Sequence, residues 1–173
     1  MEELTKNFEN LSTEEIQKSF NLSLKMRNAE HLKTLISKGA DANQSDQNGL
    51  NPLQMLLNDP ENFSTEMIEL LIPHSNLDLK NKDGKTALMI ACENKKINPE
   101  IIKLLIDSKS EIDLQDNFRK SPLHFYANAQ SQKNPKILQF FFESKANLNA
   151  QDKSGVISIF SFLKATITHR IIR

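Results

Sequence analysis

An all-α repeat solenoid of stacked helices is the fold class this sequence predicts. Three features held in one register predict it. The segments beginning Asp46, Asn81 and Asp116 align through Gln54, Met89 and His124, and a weaker copy begins at Asp152, so the steps are 35, 35 and 36 residues. The apolar pairs Leu35-Ile36, Leu70-Leu71, Leu105-Ile106 and Phe141-Phe142 keep the same steps. So do the short motifs ending in Asn43, Asp78, Asp113 and Asn149, each just ahead of a repeat start. A fixed period of this size marks a stacked-repeat architecture. One helix pair cannot bury its apolar stripe alone, so neighbouring pairs must cover it.

The elements follow in order within one domain spanning 1–173. The N-terminal capping repeat, 12–45, opens at Ser12-Thr13-Glu14-Glu15, a capping box that starts its first helix. Internal repeats occupy 46–80, 81–115 and 116–151. Pro52 and Pro122 suit the first turn of a helix, where the missing N–H costs nothing. Asn98-Pro99 and Asn134-Pro135 each place an N-cap before a proline at the first helical position. The apolar runs they open, Ile101 to Leu105 and Ile137 to Phe141, form one broad helix stripe each. Residues 152–173 make an incomplete or divergent last repeat. Its tail from Ala165 is β-branched and basic, which fits a divergent cap or a truncated chain better than a short amphipathic membrane contact. A repeat without its cap is expected to fray first and to leave an apolar edge for self-association.

Composition narrows the function classes. The chain has 173 residues, 22 basic and 22 acidic, which excludes a large basic footprint for nucleic acid. Residues 153–173 nevertheless hold Lys153, Lys164, Arg170 and Arg173 with no acid. The single cysteine, Cys92, cannot form an internal disulfide and fits a reducing compartment. The acidic N-terminus has no apolar signal region, and no apolar run is long enough to span a membrane. The expected location is intracellular and cytoplasmic.

The motif Ser121-Pro122-Leu123-His124, the finger segments Asp83-Gly84-Lys85-Thr86-Ala87-Leu88 and Gly49-Leu50-Asn51-Pro52-Leu53, and the junction Lys38-Gly39-Ala40-Asp41-Ala42-Asn43 resemble the ankyrin repeat family. The resemblance covers about residues 12–164. It implies a β-hairpin finger followed by two antiparallel helices in each repeat, with His124 bonding the backbone and linking neighbouring fingers. The step exceeds the family's usual length, and the extra residues fall between the helices at 58–63, 93–97 and 128–133.

Four departures stand out. Arg119 takes the finger slot held elsewhere by Gly49, Gly84 and Gly155, which predicts a changed turn type or a contact tip at Phe118-Arg119-Lys120. His74, Lys109 and Lys145 replace the helix-ending glycine represented by Gly39, so each is expected in a costly left-handed cap. Tyr126 replaces a small residue and is expected either to swell the helix packing or to point its hydroxyl at the concave face. The last repeat lacks the proline-containing helix start altogether.

No residue pattern points to catalysis, a cofactor or a metal. The four histidines lack zinc spacing, Cys92 has no thiol partner, and no phosphate-binding or nucleophile-elbow motif occurs. The resemblance implies a non-enzymatic scaffold that binds one or more proteins through finger tips and the concave helix face. The candidate contact residues are Asn48, Leu50, Lys82, Asp83, Lys85, Asn117, Phe118, Lys120 and Tyr126. A regulatory adaptor of ubiquitin-ligase type is the alternative, though no F-box-like segment can be found; another is an ankyrin piece of a larger multidomain protein. At Asn43, Asp78, Asp113 and Asn149 a local turn-shaping role is expected. The resemblance also makes Asn43 and Asn149 candidates for hydroxylation by a 2-oxoglutarate oxygenase.

Overall fold

The computed structural model describes residues 11–59, 64–129 and 134–158. Among them, eight α-helices run as four successive pairs: α1 Thr13–Met26 with α2 Ala29–Ser37, α3 Pro52–Asn58 with α4 Thr65–Leu71, α5 Ala87–Glu93 with α6 Pro99–Asp107, and α7 Pro122–Asn128 with α8 Pro135–Glu143. The tail beyond Ser158, and with it most of the divergent last repeat, lies outside the described residues, as do parts of the loops at 58–63 and 128–133.

Local chemistry starts the helices where the sequence places them. Ser12 and Glu15 close a reciprocal capping box, with the Ser12 N–H donating to Glu15 Oε2 at 2.9 Å. Asn98 and Asn134 accept from the amides of Glu100 and Lys136, each at 3.0 Å. Pro52, Pro99, Pro122 and Pro135 occupy first-turn positions, where the absent N–H leaves no gap in the hydrogen-bond ladder.

Packing then builds two layers. The short helices α3, α5 and α7 stack in one row, and α2, α4, α6 and α8 stack in the other. Leu53, Leu57, Leu88 and Met89 fill the first row, while Leu32, Met67, Ile68, Leu71, Ile102, Leu105 and Phe141 fill the second, all fully buried. Each apolar face is thereby covered by its neighbour in the stack, the expected economy of a repeat protein.

Helix ends follow the expected pattern at two of three positions. Lys109 and Lys145 adopt φ of 67° and 57° after α6 and α8, as Gly39 does at 90° after α2. His74 does not. Pro73 lies within a 3₁₀ turn, Ile72–His74, that closes α4 instead. Ser75 completes that turn, donating its N–H to Ile72 O at 3.3 Å and its hydroxyl to Leu71 O at 2.8 Å. The Leu71 carbonyl, which a left-handed cap would satisfy, is thereby served by the Ser75 hydroxyl.

The fingers are tight turns rather than strand hairpins, with one isolated antiparallel bridge, Gln151 to Ile157, among the described residues. Each turn is organised by an acid or amide at its first position. Asp46 Oδ1 accepts from the amides of Asn48 and Leu50 at 2.8 and 2.9 Å. Asn81, Asp116 and Asp152 repeat the arrangement. Arg119 keeps this turn. Its φ is 60° and its N–H reaches Asp116 O at 3.0 Å, matching the 2.9 Å of Gly49 to Asp46. The expected change of turn type does not occur, because the Asp116 side chain holds the same geometry that glycine adopts freely elsewhere.

Candidate functional site

The finger tips form a row along the stack, and three sets of bonds hold it in place. The first set starts inside the short helices. His124 Nδ1 accepts from the Ser121 amide at 3.1 Å, and its Nε2 stands 3.0 Å from Val156 O in the next finger. The accepting Nδ1 assigns the proton to Nε2, which therefore donates to that carbonyl. Gln54 does the same with an amide. Its Oε1 accepts from the Asn51 amide at 3.1 Å, and its Nε2 donates to Leu79 O at 2.7 Å and Lys85 O at 3.2 Å. Met89 holds the equivalent position in α5 and has no donor and only a weak thioether acceptor to offer. The buried Thr86 Oγ1 at that helix start has no hydrogen-bond partner.

The second set joins repeat junctions. Asn43 Oδ1 accepts from the Asn76 amide at 2.6 Å, Asp78 Oδ1 from Glu111 at 2.9 Å, and Asp113 Oδ1 from Asn147 at 2.9 Å. These side chains staple one repeat to the next, instead of shaping their own turn. The local role belongs two residues upstream, where Asp41, Asn76 and Asn147 accept from the amides of Asn43, Asp78 and Asn149. Asn149 is exposed.

Finger backbones also bond to one another. Asn117 donates its amide to Asp83 O at 3.1 Å and its side-chain nitrogen to Lys82 O at 3.0 Å. Lys153 donates its amide to Phe118 O at 2.9 Å. The Lys82 ammonium donates to Gln47 O. Gly84 is required here, since a Cβ would lie 2.5 Å from Asn117 Oδ1.

On this frame Asn48, Lys82, Asp83, Asn117 and Phe118 are exposed, Phe118 at 60%. Leu50, Lys85 and Lys120 are half-buried. Leu50 packs on the core. Lys85 is engaged at the stack, 2.7 Å from Glu93 Oε2 and 4.9 Å from the centre of the Phe125 ring. Tyr126 is not a surface residue. It is 4% exposed, stacks on Phe141 and donates its hydroxyl to Asn134 O at 2.7 Å. Burial, with the neighbouring Cys92 adding to it, pushes its phenol up to about 12.

The helical side of the groove offers little. Every residue of 87–92 and 122–127 is buried, which leaves Glu93 and Asn128 as the exposed positions of α5 and α7. The exposed side chains therefore lie at the tips rather than along these short helices. Cys92 is 3% exposed, and burial pushes its thiol well above its ordinary range. Such a thiol is a poor nucleophile. Among the described residues no group of three His, Cys, Asp or Glu side chains could hold a metal, and no helix is long and apolar enough to cross a membrane.

Sequence reasoning missed two contributors, Gln54 and the stapling amides. The signal for Gln54 was present, because an amide carries the same acceptor and donor pair as an imidazole.

Comparison with known proteins agrees with this architecture. A family model described as "Ankyrin repeats (3 copies)" matches residues 20–116 and 60–152. The chain is 33% identical over 105 residues to the ankyrin repeat protein L371 of Acanthamoeba polyphaga mimivirus, covering 60% of this chain and 12% of that protein. It is 35% identical over 71 residues to the tyrosine-protein kinase Shark of Drosophila melanogaster, covering 40% of this chain and 7% of the kinase. The chain thus spans a small part of either relative. With the repeated helix pairs, the stapled junctions and the family match over most of its length, this chain belongs to the ankyrin repeat family.

Proposed function

We infer that the protein is a non-enzymatic scaffold that binds a partner protein through its finger tips, with the short-helix side of the groove contributing at its margins. Ankyrin repeats are generally protein–protein interaction modules, and their stacking creates an extended surface whose side chains vary without disturbing the core. The observation that carries the reading is the division of labour at the tips. Backbone bonds between fingers fix the row, while Asn48, Lys82, Asp83, Asn117 and Phe118 remain exposed. A cytoplasmic location suits this role and the buried free thiol.

A paired pull-down from the source cell tests it. The native chain is compared with a variant carrying Phe118→Ser, Lys82→Glu and Lys120→Glu, whose folding is checked by circular dichroism. A protein captured by the native chain and lost from the variant is expected. Equal capture by both would remove the tips from the interface.

A second reading, an ankyrin segment of a larger protein, is favoured by the short share of both relatives that the chain spans. The length of the natural open reading frame decides it. Self-association belongs to the same proposal, since Phe142 on α8 is 50% exposed. Sedimentation at rising concentration tests that contact. Asn43 and Asn149 are proposed hydroxylation acceptors, tested by the added mass of one oxygen atom on either peptide in protein from its native host.

A further inference from the structure

We propose that the tip formed by residues 116–120 and 152–156 docks an acidic segment of a partner protein that also carries an apolar side chain, a reading that rests on the scaffold function above. Charge placement carries it. The acids of these two fingers, Asp116 and Asp152, are each only 8% exposed. Their carboxylates are used inside the turns: Asp116 accepts from the amides of Phe118 and Lys120, and Asp152 from those of Ser154 and Val156. The cations are left at the surface, with Arg119 and Lys153 exposed and Lys120 half-buried.

The repeat register shows that this excess is particular to these fingers. In the preceding finger Lys85 is neutralised by Glu93 at 2.7 Å. One repeat later the same two positions hold Lys120 and Asn128, so the lysine is kept and its acid is not.

Two further observations give the surface a shape. Phe118 is 60% exposed, and the Lys153 ammonium lies 5.8 Å from the centre of its ring. An apolar partner side chain laid on that ring would bring neighbouring carboxylates to the cations around it. Aromatic and arginine side chains are the usual anchors of protein interfaces. Arg119, in turn, holds a φ of 60° at a position where the other three fingers use glycine. Holding a bulky residue there costs conformational energy that glycine avoids, and such strain concentrates where function needs the side chain. A protein segment is favoured over nucleic acid because three cations around one aromatic are too few for the row of phosphate contacts that nucleic acid requires.

The test is selection of random displayed peptides by the native chain, set against selection by an Arg119→Glu, Lys120→Glu, Lys153→Glu variant of confirmed fold. Peptides rich in Asp and Glu with an apolar residue are expected from the native chain and lost from the variant. A representative acidic peptide should bind the single variant Arg119→Gly more weakly while that variant melts higher. Truncating all three cations to alanine should weaken it about tenfold, most clearly at low salt. Recovery of peptides without acidic enrichment, recovery of the same set by the charge-reversed variant, or no recovery at all would overturn the proposal. So would tighter binding of single-stranded RNA or anionic vesicles than of any selected peptide. A pull-down that still depends on the tips would, in those cases, leave the scaffold function standing and remove only the acidic partner.

Discussion

Replacing Gln54 by methionine isolates the bond that joins a short helix to the next finger. The two side chains are close in length, and Gln54 is 1% exposed, so shape changes little. The Asn51 amide loses the only acceptor seen for it, a buried loss of about 2 kcal/mol. Leu79 O loses its 2.7 Å donor, about 1 to 2 kcal/mol more. Lys85 O is less affected, because the Asn81 amide still donates to it at 3.0 Å; about 0.5 kcal/mol is lost there. Burying the methionine side chain returns about 2 kcal/mol. The net loss is about 2 kcal/mol, or about 4 to 8 °C in melting temperature for a chain of this size. Thermal melting followed by far-UV circular dichroism measures it, and hydrogen exchange at Asn51 and the 81–85 finger should locate it. Gln54→His should melt between the native chain and the methionine variant, since His124 makes counterparts of the Asn51 and Lys85 bonds but offers no second donor for Leu79 O. A methionine variant that melts at or above the native temperature would refute the linking role assigned to Gln54.

Other expectations follow from individual contacts. Thr86→Val should be neutral or stabilise by up to about 1 kcal/mol in urea denaturation, because the buried hydroxyl has no partner, whereas Asn51→Ala should still cost about 1 kcal/mol, the lost helix cap outweighing the removal of its own unpartnered Nδ2. Asp113→Ala should cost about 1 to 2 kcal/mol by removing the acceptor of the Asn147 amide, with the loss appearing first as faster hydrogen exchange at 147–150. Tyr126 is the only tyrosine and there is no tryptophan, so tyrosinate absorbance reports it alone. It should titrate near 12 in the folded chain and about two units lower in urea. The fold favours the neutral phenol. Its stabilising contribution is therefore full below about pH 10 and is lost as pH rises from there through the folded value. Cys92 should resist thiol reagents in native buffer and react at the rate of local unfolding, which makes it a reporter of α5 opening.

What could be read from the sequence was whatever rests on near neighbours. The repeat register, the N-caps at Ser12, Asn98 and Asn134, and the prolines at first-turn positions depend on residues a few places apart, and the structure shows each of them. Pro73 was equally visible, and it should have argued against a left-handed cap at His74. The stapling role of Asn43 was not legible, since its acceptor oxygen meets an amide in the next repeat. Tyr126 misled for a related reason. Its size and hydroxyl suggest a surface site, but Asn134 O and the Phe141 ring satisfy both features inside the stack. Arg119 departed from the finger pattern in its letters while the backbone stayed the same, because the Asp116 carboxylate holds the turn whatever follows it.

The junction staples each look one repeat ahead and no further: Asn43 to Asn76, Asp78 to Glu111, Asp113 to Asn147. Excising residues 81–115 would join Lys80 to Asp116 and leave Asp78 facing Asn147 at the spacing Asp113 has now. Gln54 would meet Lys120 O where it now meets Lys85 O. Recombination between repeats in the gene can therefore lengthen or shorten the row of fingers without breaking a bond type, while loss of a single residue disturbs only the staple that spans it, and the staples already differ in spacing at 33, 33 and 34 residues. The chain is open to evolutionary editing by the unit, and an error within one unit stays within it.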